Sequence, residues 1–428
     1  MSLIKKNKNF ENQTKPFPNL GLNNLRLFKP KKTENKYFYP LAHQSWDAEE
    51  HNAIINQLYT GKLTMGENVH LFEKEFCDYF GSKYAVMVNS GSSANLLIVA
   101  ALTLLKKFNF NKGDEVIVPA LGWSTSYSPF SQYGIKLRFV DINELTLNID
   151  EDKIENAITK KSKAILAINI LGNPVNFQKI KKICKQHDLI LIEDNCESLG
   201  AKFSSKNTGT FGIAGSHSFF FSHHIQTIEG GMITTNDHDF YECCKSLRAH
   251  GWTRELSKKN AVKKSINEEF NDSFNFILPG YNLRPNEFNG VIGRCQLRKF
   301  SNFLKGRRKN ASLFKKLFDN KSFCKLQDSH EGSSWYGFSI LLDGNLKNRR
   351  DYVLQELKKN KIETRPVVSG NFLKNKVSEF YDYTISGDLT QVDNIDKNAF
   401  FVGNTHTDLS KQIFKLFELL DGLHKRIN

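Results

Sequence analysis

The 428 residues include 39% hydrophobic and 25% charged side chains, which is typical of a globular protein large enough to bury a substantial core. No run of eighteen apolar residues is present and the basic N-terminus has no apolar h-region, so neither a membrane span nor a secretory signal is predicted, and a cytoplasmic location is expected. The net charge of +15 suits nucleic acid as well as an anionic small molecule, so charge alone assigns no function.

Residues 1–36 carry nine Lys or Arg against two Glu and are rich in Asn and Pro, which predicts a basic, poorly ordered tail. Outside this tail, lysines alternate with acidic residues, as on solvated helix faces. The seven cysteines are scattered and form no C-x-x-C pair, so we expect free thiols in a reducing compartment.

After the tail, two helices ending at Gly61 and Gly81 are predicted, followed by the strand KYAVMV and a strongly apolar helix. The apolar runs DEVIVPA, KAILAINIL and DLILIEDN predict further strands, with the helices EDKIENAITKK and NFQKIKKICKQH around the middle one. Strands that alternate with helices indicate an α/β fold with a mostly parallel, doubly wound sheet. This large domain is predicted to span residues 37–300.

From about residue 300 the pattern changes to the long basic helix FSNFLKGRRKNASLFKKLFDN and the strand SSWYGFSILL. The helix DYVLQELKKNKI and the strand ETRPVV follow. These elements predict a smaller C-terminal α+β domain over residues 301–428.

Four loops at strand ends are candidates for a ligand site, because open α/β sheets bind ligands at the carboxyl ends of their strands. They are NSGSSAN, PALGWSTSY, IEDNCES and the FFFSHH stretch. The turn NSGSSAN offers Gly91 and Ser92 for a phosphate, although such turns also serve as simple helix caps. Asp194 ends a buried strand and suits a cationic ring nitrogen or a helix cap. Trp123 suits stacking on a flat cofactor or a place in the core.

Four features follow one another along the chain: the Gly/Ser turn, Asp194, an S-x-x-x-x-x-x-x-x-x-x-E-G-G segment and GYNLRPNEFNGVIGRCQL. In this order they resemble the sugar-nucleotide branch of the fold-type-I pyridoxal-phosphate aminotransferases. The resemblance runs from about Tyr39 to the C-terminus. It implies that Ser218 contacts the cofactor phosphate and that Asn282 reaches the phosphate of a partner subunit. A homodimer with shared active sites is therefore expected.

The stretch SHHIQTIEGG departs from the general family pattern, because His223 occupies the position of the lysine that binds the cofactor covalently. An imidazole has no primary amine, so a noncovalently held cofactor is expected. This replacement, with Glu197 in place of the usual Gln, resembles the branch of the family that removes the 3-hydroxyl from nucleotide-linked 4-keto-6-deoxy sugars. His223, with an ordinary pKa near 6.5, is the expected base and acid.

The resemblance implies pyridoxal 5'-phosphate as cofactor, its pyridoxamine 5'-phosphate form during turnover, and L-glutamate as amino donor. It also implies a GDP-linked 4-keto-6-deoxymannose substrate, used in dideoxysugar biosynthesis for surface polysaccharides. A related branch adds an iron–sulfur cluster, but Cys196 has no C-x-C partner after the histidine, so no cluster or metal is expected.

Arg254 and Arg284 are candidates for binding the substrate diphosphate or the carboxylates of glutamate, with salt bridges as the alternative role. Two competing functions remain open. One is a sugar aminotransferase that works without the lysine, and the other is a catalytically inactive basic binding protein.

Overall fold

The computed structural model describes residues 36–257, 262, 274–330 and 332–427, so the predicted tail lies outside the described residues except for Lys36. The helices are α1 (Ala48–Tyr59), α2 (Glu67–Phe80), α3 (Gly91–Leu104), α4 (Ser124–Gln132), α5 (Glu151–Ala157), α6 (Phe177–His187), α7 (His238–Arg248), α8 (Glu287–Phe318), α9 (Arg350–Lys359), α10 (Thr390–Asn398) and α11 (Ser410–Ile427). None of these helices in the described residues is long and apolar enough to cross a bilayer.

The strands are β1 (Tyr84–Val88), β2 (Glu115–Pro119), β3 (Lys136–Val140), β4 (Ser162–Ile168), β5 (Ile190–Asp194), β6 (Lys202–Phe203), β7 (Lys206–Asn207), β8 (Ala214–Ser218), β9 (Gly231–Thr235), β10 (Cys324–Leu326), β11 (Gly337–Leu342), β12 (Tyr383–Ser386) and β13 (Ala399–Gly403).

In the described part of the chain, eight strands form one sheet in the order β1-β9-β8-β5-β4-β2-β3-β12. Only β9 runs against its two neighbours, while every other pair in the sheet is parallel. The predicted α/β fold with a mostly parallel sheet is therefore confirmed. The strands β1, β2, β4, β5 and β8 run in the same direction, so their carboxyl ends meet at one edge of the sheet.

Helix α3 lies against this sheet and is apolar on nearly every side, as expected for a helix enclosed by other elements. Leu97, Ile98 and Leu102 are at most 1% exposed. Burial of each such side chain contributes about 1.5–3 kcal/mol. The hydroxyl of Ser90 accepts a hydrogen bond from the Ser93 amide at 3.1 Å and caps the helix, which positions the Gly/Ser turn.

The chain after residue 300 contributes the antiparallel sheet β10-β11-β13 and a separate apolar cluster in which the rings of Phe314 and Phe338 stack at 4.3 Å. It also returns β12 to the large sheet beside β3. Helix α8 begins at Glu287, earlier than the predicted start at Phe300, because Asn286 caps it with reciprocal hydrogen bonds to Asn289. The division into domains at residue 300, which lies inside this helix, stays a prediction.

The predicted strand ETRPVV is wrong, since only Arg365 forms a bridge there, with Phe401. Pro366 has no amide hydrogen to donate to a neighbouring strand. Val368 adopts a positive φ of 50°, which extended backbone does not allow. The segment instead turns Arg365 towards the carboxyl edge of the large sheet.

A buried ion network ties three elements together beside that edge. The Arg248 side chain, which is fully buried, donates from Nη1 to Glu73 Oε1 at 2.6 Å and to the Met87 carbonyl at 2.8 Å. Its Nη2 donates to Glu255 Oε2 at 3.0 Å. The Arg248 carbonyl accepts a hydrogen bond from the Leu283 amide at 2.9 Å, so the network also holds the segment that contains Asn282.

Replacing Arg248 with Met is expected to lower the free energy of unfolding by about 3–5 kcal/mol, because the buried Glu73 loses its arginine partner and keeps only the His70 ring and the Met87 amide. Urea unfolding followed by circular dichroism measures this loss. The matched control is Arg298→Met, which removes an exposed ion pair with Glu49 and is expected to cost at most about 1 kcal/mol. Equal losses of unfolding free energy in Arg248→Met and Arg298→Met would contradict a stabilising role for the buried ion network.

Candidate functional site

A cavity of about 330 Å³ opens at the carboxyl edge where β1, β2, β4, β5 and β8 end. All four loops predicted as ligand candidates contribute to its wall. The residues that line it are Ser90, Gly91, Ser92, Asn95, Trp123, Thr125, Ser126, Ile168, Ile170, Asp194, Cys196, Glu197, Ser218, Phe220, Ser222, His223, Glu229, Tyr336, Arg365, Val368 and Phe401.

The N-terminus of α3 forms one wall, with Gly91 as its first residue and Ser92 bonded through its hydroxyl to Thr125 Oγ1 at 2.8 Å. A Cβ atom on Gly91 would lie 2.6 Å from Ser218 Cβ and 2.9 Å from Cys196 Sγ, so only glycine fits there. Small residues and free helix amides around one point form a cradle for a phosphate. Gly91, Ser92 and Ser218 all line this cradle.

Asp194 lies at the end of β5 and is 5% exposed. Its Oδ2 accepts hydrogen bonds from Asn95 Nδ2 at 2.9 Å and from Ser126 Oγ at 2.6 Å, and its Oδ1 accepts one from the Cys196 amide at 3.1 Å. These three donors orient the carboxylate at the cavity wall. Sequence reasoning missed Asn95 and Ser126, although an asparagine within the apolar helix SSANLLIVAALTLL was a usable signal.

His223 lines the cavity and is half-buried, with its Nδ1 3.4 Å from Ser222 Oγ. Burial, with the charge of Arg307, lowers the pKa of His223 to about 3. The pKa lies below the ordinary value near 6.5, so the imidazole is neutral at pH 7. The neutral ring has a lone pair that can accept a proton, and its low pKa makes the resulting imidazolium a strong proton donor. No lysine of the described residues lines the cavity.

Glu197 faces the same cavity and accepts a hydrogen bond from the Leu171 amide at 2.9 Å. Burial, with the negative charge of Asp194, raises the pKa of Glu197 to about 7. This carboxyl group exchanges a proton near neutral pH. Trp123 is 57% exposed at the cavity mouth, so its ring is open to a ligand and is not a core residue.

Tyr336 and Arg365 reach the cavity from the C-terminal part of the chain, and sequence reasoning missed both. No motif marked them. Tyr336 immediately precedes β11, and Arg365 is held by two backbone hydrogen bonds to Phe401. A tertiary contact of this kind leaves no local pattern in the sequence.

Asn282, Arg254 and Arg284 do not line the cavity of their own chain. They lie around Trp252, with the guanidinium carbons of both arginines 5.5 Å from the centre of its ring. Arg284 Nε donates to Asn282 Oδ1 at 3.0 Å. These three predicted site residues thus lie together outside the cavity, in a group that carries the positive charge of two arginines.

The chain is similar to proteins named as GDP-4-keto-6-deoxymannose 3-dehydratases. It is 51% identical over 385 residues, 89% of this chain and 98% of the relative, to GDP-4-keto-6-deoxy-D-mannose 3-dehydratase from Yersinia pseudotuberculosis. The fold matches the Escherichia coli GDP-4-keto-6-deoxy-D-mannose-3-dehydratase with bound hydrated PLP at a TM-score of 0.88 and 48% identity, over 90% of this chain and 99% of that one.

A solved GDP-4-keto-6-deoxymannose-3-dehydratase with a trapped PLP-glutamate geminal diamine matches at a TM-score of 0.87 and 47% identity, over 89% of this chain and 100% of that one. The family model of the DegT/DnrJ/EryC1/StrS aminotransferases matches residues 44–410. This chain therefore belongs to the DegT/DnrJ/EryC1/StrS aminotransferase family.

Proposed function

We propose that the chain is a lyase that removes the C3 hydroxyl from GDP-4-keto-6-deoxymannose and yields GDP-4-keto-3,6-dideoxymannose. The reaction takes pyridoxal 5'-phosphate as cofactor and L-glutamate as amino donor. Its product serves dideoxysugar synthesis for surface polysaccharides, and its place is the cytoplasm. The observation that carries the proposal is His223, which lines a cavity that no described lysine reaches. The relatives that share about half of the sequence have the same named activity.

The cavity fits the cofactor. Gly91, Ser92 and Ser218 line one wall, and Gly91 has no side chain because a Cβ atom there would collide with Ser218. Such a wall of small residues at a helix N-terminus lets a phosphate approach the backbone closely. Asp194, held by three donors, suits a protonated pyridine nitrogen. The exposed ring of Trp123 suits stacking on the flat face. When bound, the cofactor carries the amino group from glutamate and supplies the electron sink needed to break the C3–O bond.

His223 acts on the reacting centre as base and then as acid. Its neutral imidazole accepts one proton, and the imidazolium returns a proton to the departing C3 hydroxyl, which leaves as water. Amino transfer to the sugar requires an ammonium group that returns a proton to the sugar carbon, and no described lysine lines the cavity to supply it. Dehydration is therefore favoured over transamination. We assign to Glu197, whose pKa is about 7, the ordering of water beside the cofactor.

The group around Trp252 serves the active site of a partner subunit. Asn282, Arg254 and Arg284 lie outside the cavity of their own chain, and two arginines against one aromatic ring suit a diphosphate. In this homodimer Asn282 contacts the partner's cofactor phosphate, while Arg254 and Arg284 contact its nucleotide sugar.

Incubation with pyridoxal 5'-phosphate, glutamate and GDP-4-keto-6-deoxymannose is expected to give a sugar that has lost one oxygen atom, with 2-oxoglutarate and ammonia as the other products. Mass spectrometry of the nucleotide sugar measures this change. The His223→Asn variant is the control and is expected to lower the rate by roughly 100-fold to 10,000-fold, because it removes the general base and acid.

A nitrogen-containing sugar would contradict dehydration and show an aminotransferase instead. An unchanged sugar, with no glutamate-dependent change in cofactor absorbance, would favour the inactive binding protein.

Mixing two inactive variants is expected to restore activity if the sites are shared. In a dimer of His223→Asn with Asn282→Asp, one site combines an intact His223 with an intact Asn282 from the other chain. Random mixing should recover about one quarter of the wild-type activity, because half of the dimers are mixed and each has one intact site. Rates measured before and after exchange of subunits test this. The control is the double variant His223→Asn/Asn282→Asp mixed with Asn282→Asp, in which no dimer has an intact site. Activity in this control mixture would contradict shared sites. The absence of activity in the test mixture would contradict them as well.

A further inference from the structure

Two hydroxyl groups lead from the C-terminal part of the chain to the ring of His223. The Tyr336 hydroxyl lies 3.2 Å from Ser222 Oγ, and Ser222 Oγ lies 3.4 Å from His223 Nδ1. The rings of Tyr336 and His223 meet edge to face with their centres 5.3 Å apart. All three side chains line the cavity, so this chain of polar atoms belongs to its wall.

Tyr336 is held in place by its backbone on both sides. Its amide donates to the Leu171 carbonyl at 3.0 Å, and its carbonyl accepts a hydrogen bond from Arg307 Nη1 at 3.1 Å. Burial, with the negative charge of Glu197, raises the pKa of Tyr336 to about 12. The phenol therefore keeps its proton at neutral pH and is a fixed, uncharged hydrogen-bonding group.

The direction of these hydrogen bonds decides which nitrogen of His223 carries its proton. A neutral imidazole has one N–H donor and one bare acceptor nitrogen. If Nδ1 donates to Ser222 and Ser222 donates to Tyr336, Nε2 is the acceptor. If the direction is reversed, Nε2 carries the proton and cannot act as a base. The hydrogen bond made by one ring nitrogen of a histidine commonly sets its tautomer in this way.

Nδ1 is the ring nitrogen bonded to Ser222, and no group among the described residues bonds Nε2, so the first direction is the one that leaves the unengaged nitrogen bare as a base. In that direction the phenol oxygen of Tyr336 accepts a hydrogen bond from Ser222 Oγ, 3.2 Å away. Ser222 donates a hydrogen bond to Tyr336 and accepts a hydrogen bond from His223 Nδ1.

We propose that Ser222 and Tyr336 are positioning residues that hold His223 as the Nδ1–H tautomer, with Nε2 as the atom that accepts the proton during the reaction. The catalytic part of this inference rests on the proposed function. When Nε2 gains a proton, Nδ1–H stays bonded to Ser222, and the proton on Nε2 later leaves with the C3 hydroxyl as water. The row of hydroxyls orients the base and does not itself gain or lose a proton.

Nitrogen NMR of the full-length protein with ring-¹⁵N-labelled histidine tests the tautomer, with His223→Asn identifying the signals. The expected spectrum shows a protonated Nδ1 and an unprotonated Nε2, both without added cofactor and with pyridoxal 5'-phosphate. Ser222→Ala and Tyr336→Phe are expected to shift His223 towards the Nε2–H form. A wild-type ring protonated on Nε2, or a spectrum unchanged in Ser222→Ala, would overturn the inference.

The kinetic consequence separates positioning from a purely structural role. Ser222→Ala and Tyr336→Phe are expected to lower kcat roughly 10-fold to 100-fold with little change in KM, the range seen when a hydrogen-bond partner that orients a metal-binding histidine is removed. Ser222→Thr keeps a hydroxyl and is expected to restore the tautomer and most of kcat. Tyr39→Phe is the matched control, because it removes a buried hydroxyl that bonds Gly403 and lies outside the cavity.

Equal losses of kcat in Tyr39→Phe and Tyr336→Phe would contradict positioning. The tautomer in the cofactor-free protein is read without any substrate, so its result is independent of the product assay that decides the proposed function.

Discussion

The site depends on the close approach of the α3 N-terminus to the end of β8. Gly91 has no room for a Cβ atom against Ser218 and Cys196, so the helix start, the β5 end and the β8 end meet at one point. The same helix carries Asn95, one turn later, to the Asp194 carboxylate. One packing contact therefore places both the phosphate cradle and the acidic group, and larger side chains at position 91 would separate them.

A second constraint on the site is electrostatic. Arg307 is 4% exposed, and none of the described acidic side chains forms an ion pair with it, since its guanidinium donates to the carbonyls of Trp335, Tyr336 and Asn404. Burial lowers the pKa of Arg307 to about 10, and its charge helps to keep His223 neutral. The same burial raises the pKa of Glu197. The cavity wall thus holds a neutral imidazole and a carboxyl group that titrates near pH 7.

Periodicity and turn residues were enough to predict the parallel sheet and the four loops, because strand and helix patterns are local and parallel strands bring their carboxyl ends together. The lysine-to-histidine change could be recognised only by comparison with the family pattern, since two adjacent histidines alone do not indicate a particular function. Tyr336, Arg365 and Ser126 were missed because they reach the cavity through tertiary packing. The pKa of His223 was also beyond the sequence, because it depends on burial and on Arg307, 84 positions away in the chain.

Borohydride reduction followed by intact-protein mass measurement tests the central claim most directly, that histidine at position 223 leaves the cofactor noncovalent and directs the reaction to dehydration. With pyridoxal 5'-phosphate present, the wild-type chain should keep its unmodified mass, while His223→Lys should gain one covalently attached cofactor and lose dehydration. A wild-type chain that gains the cofactor, or a His223→Lys variant that dehydrates at the wild-type rate, would contradict the account.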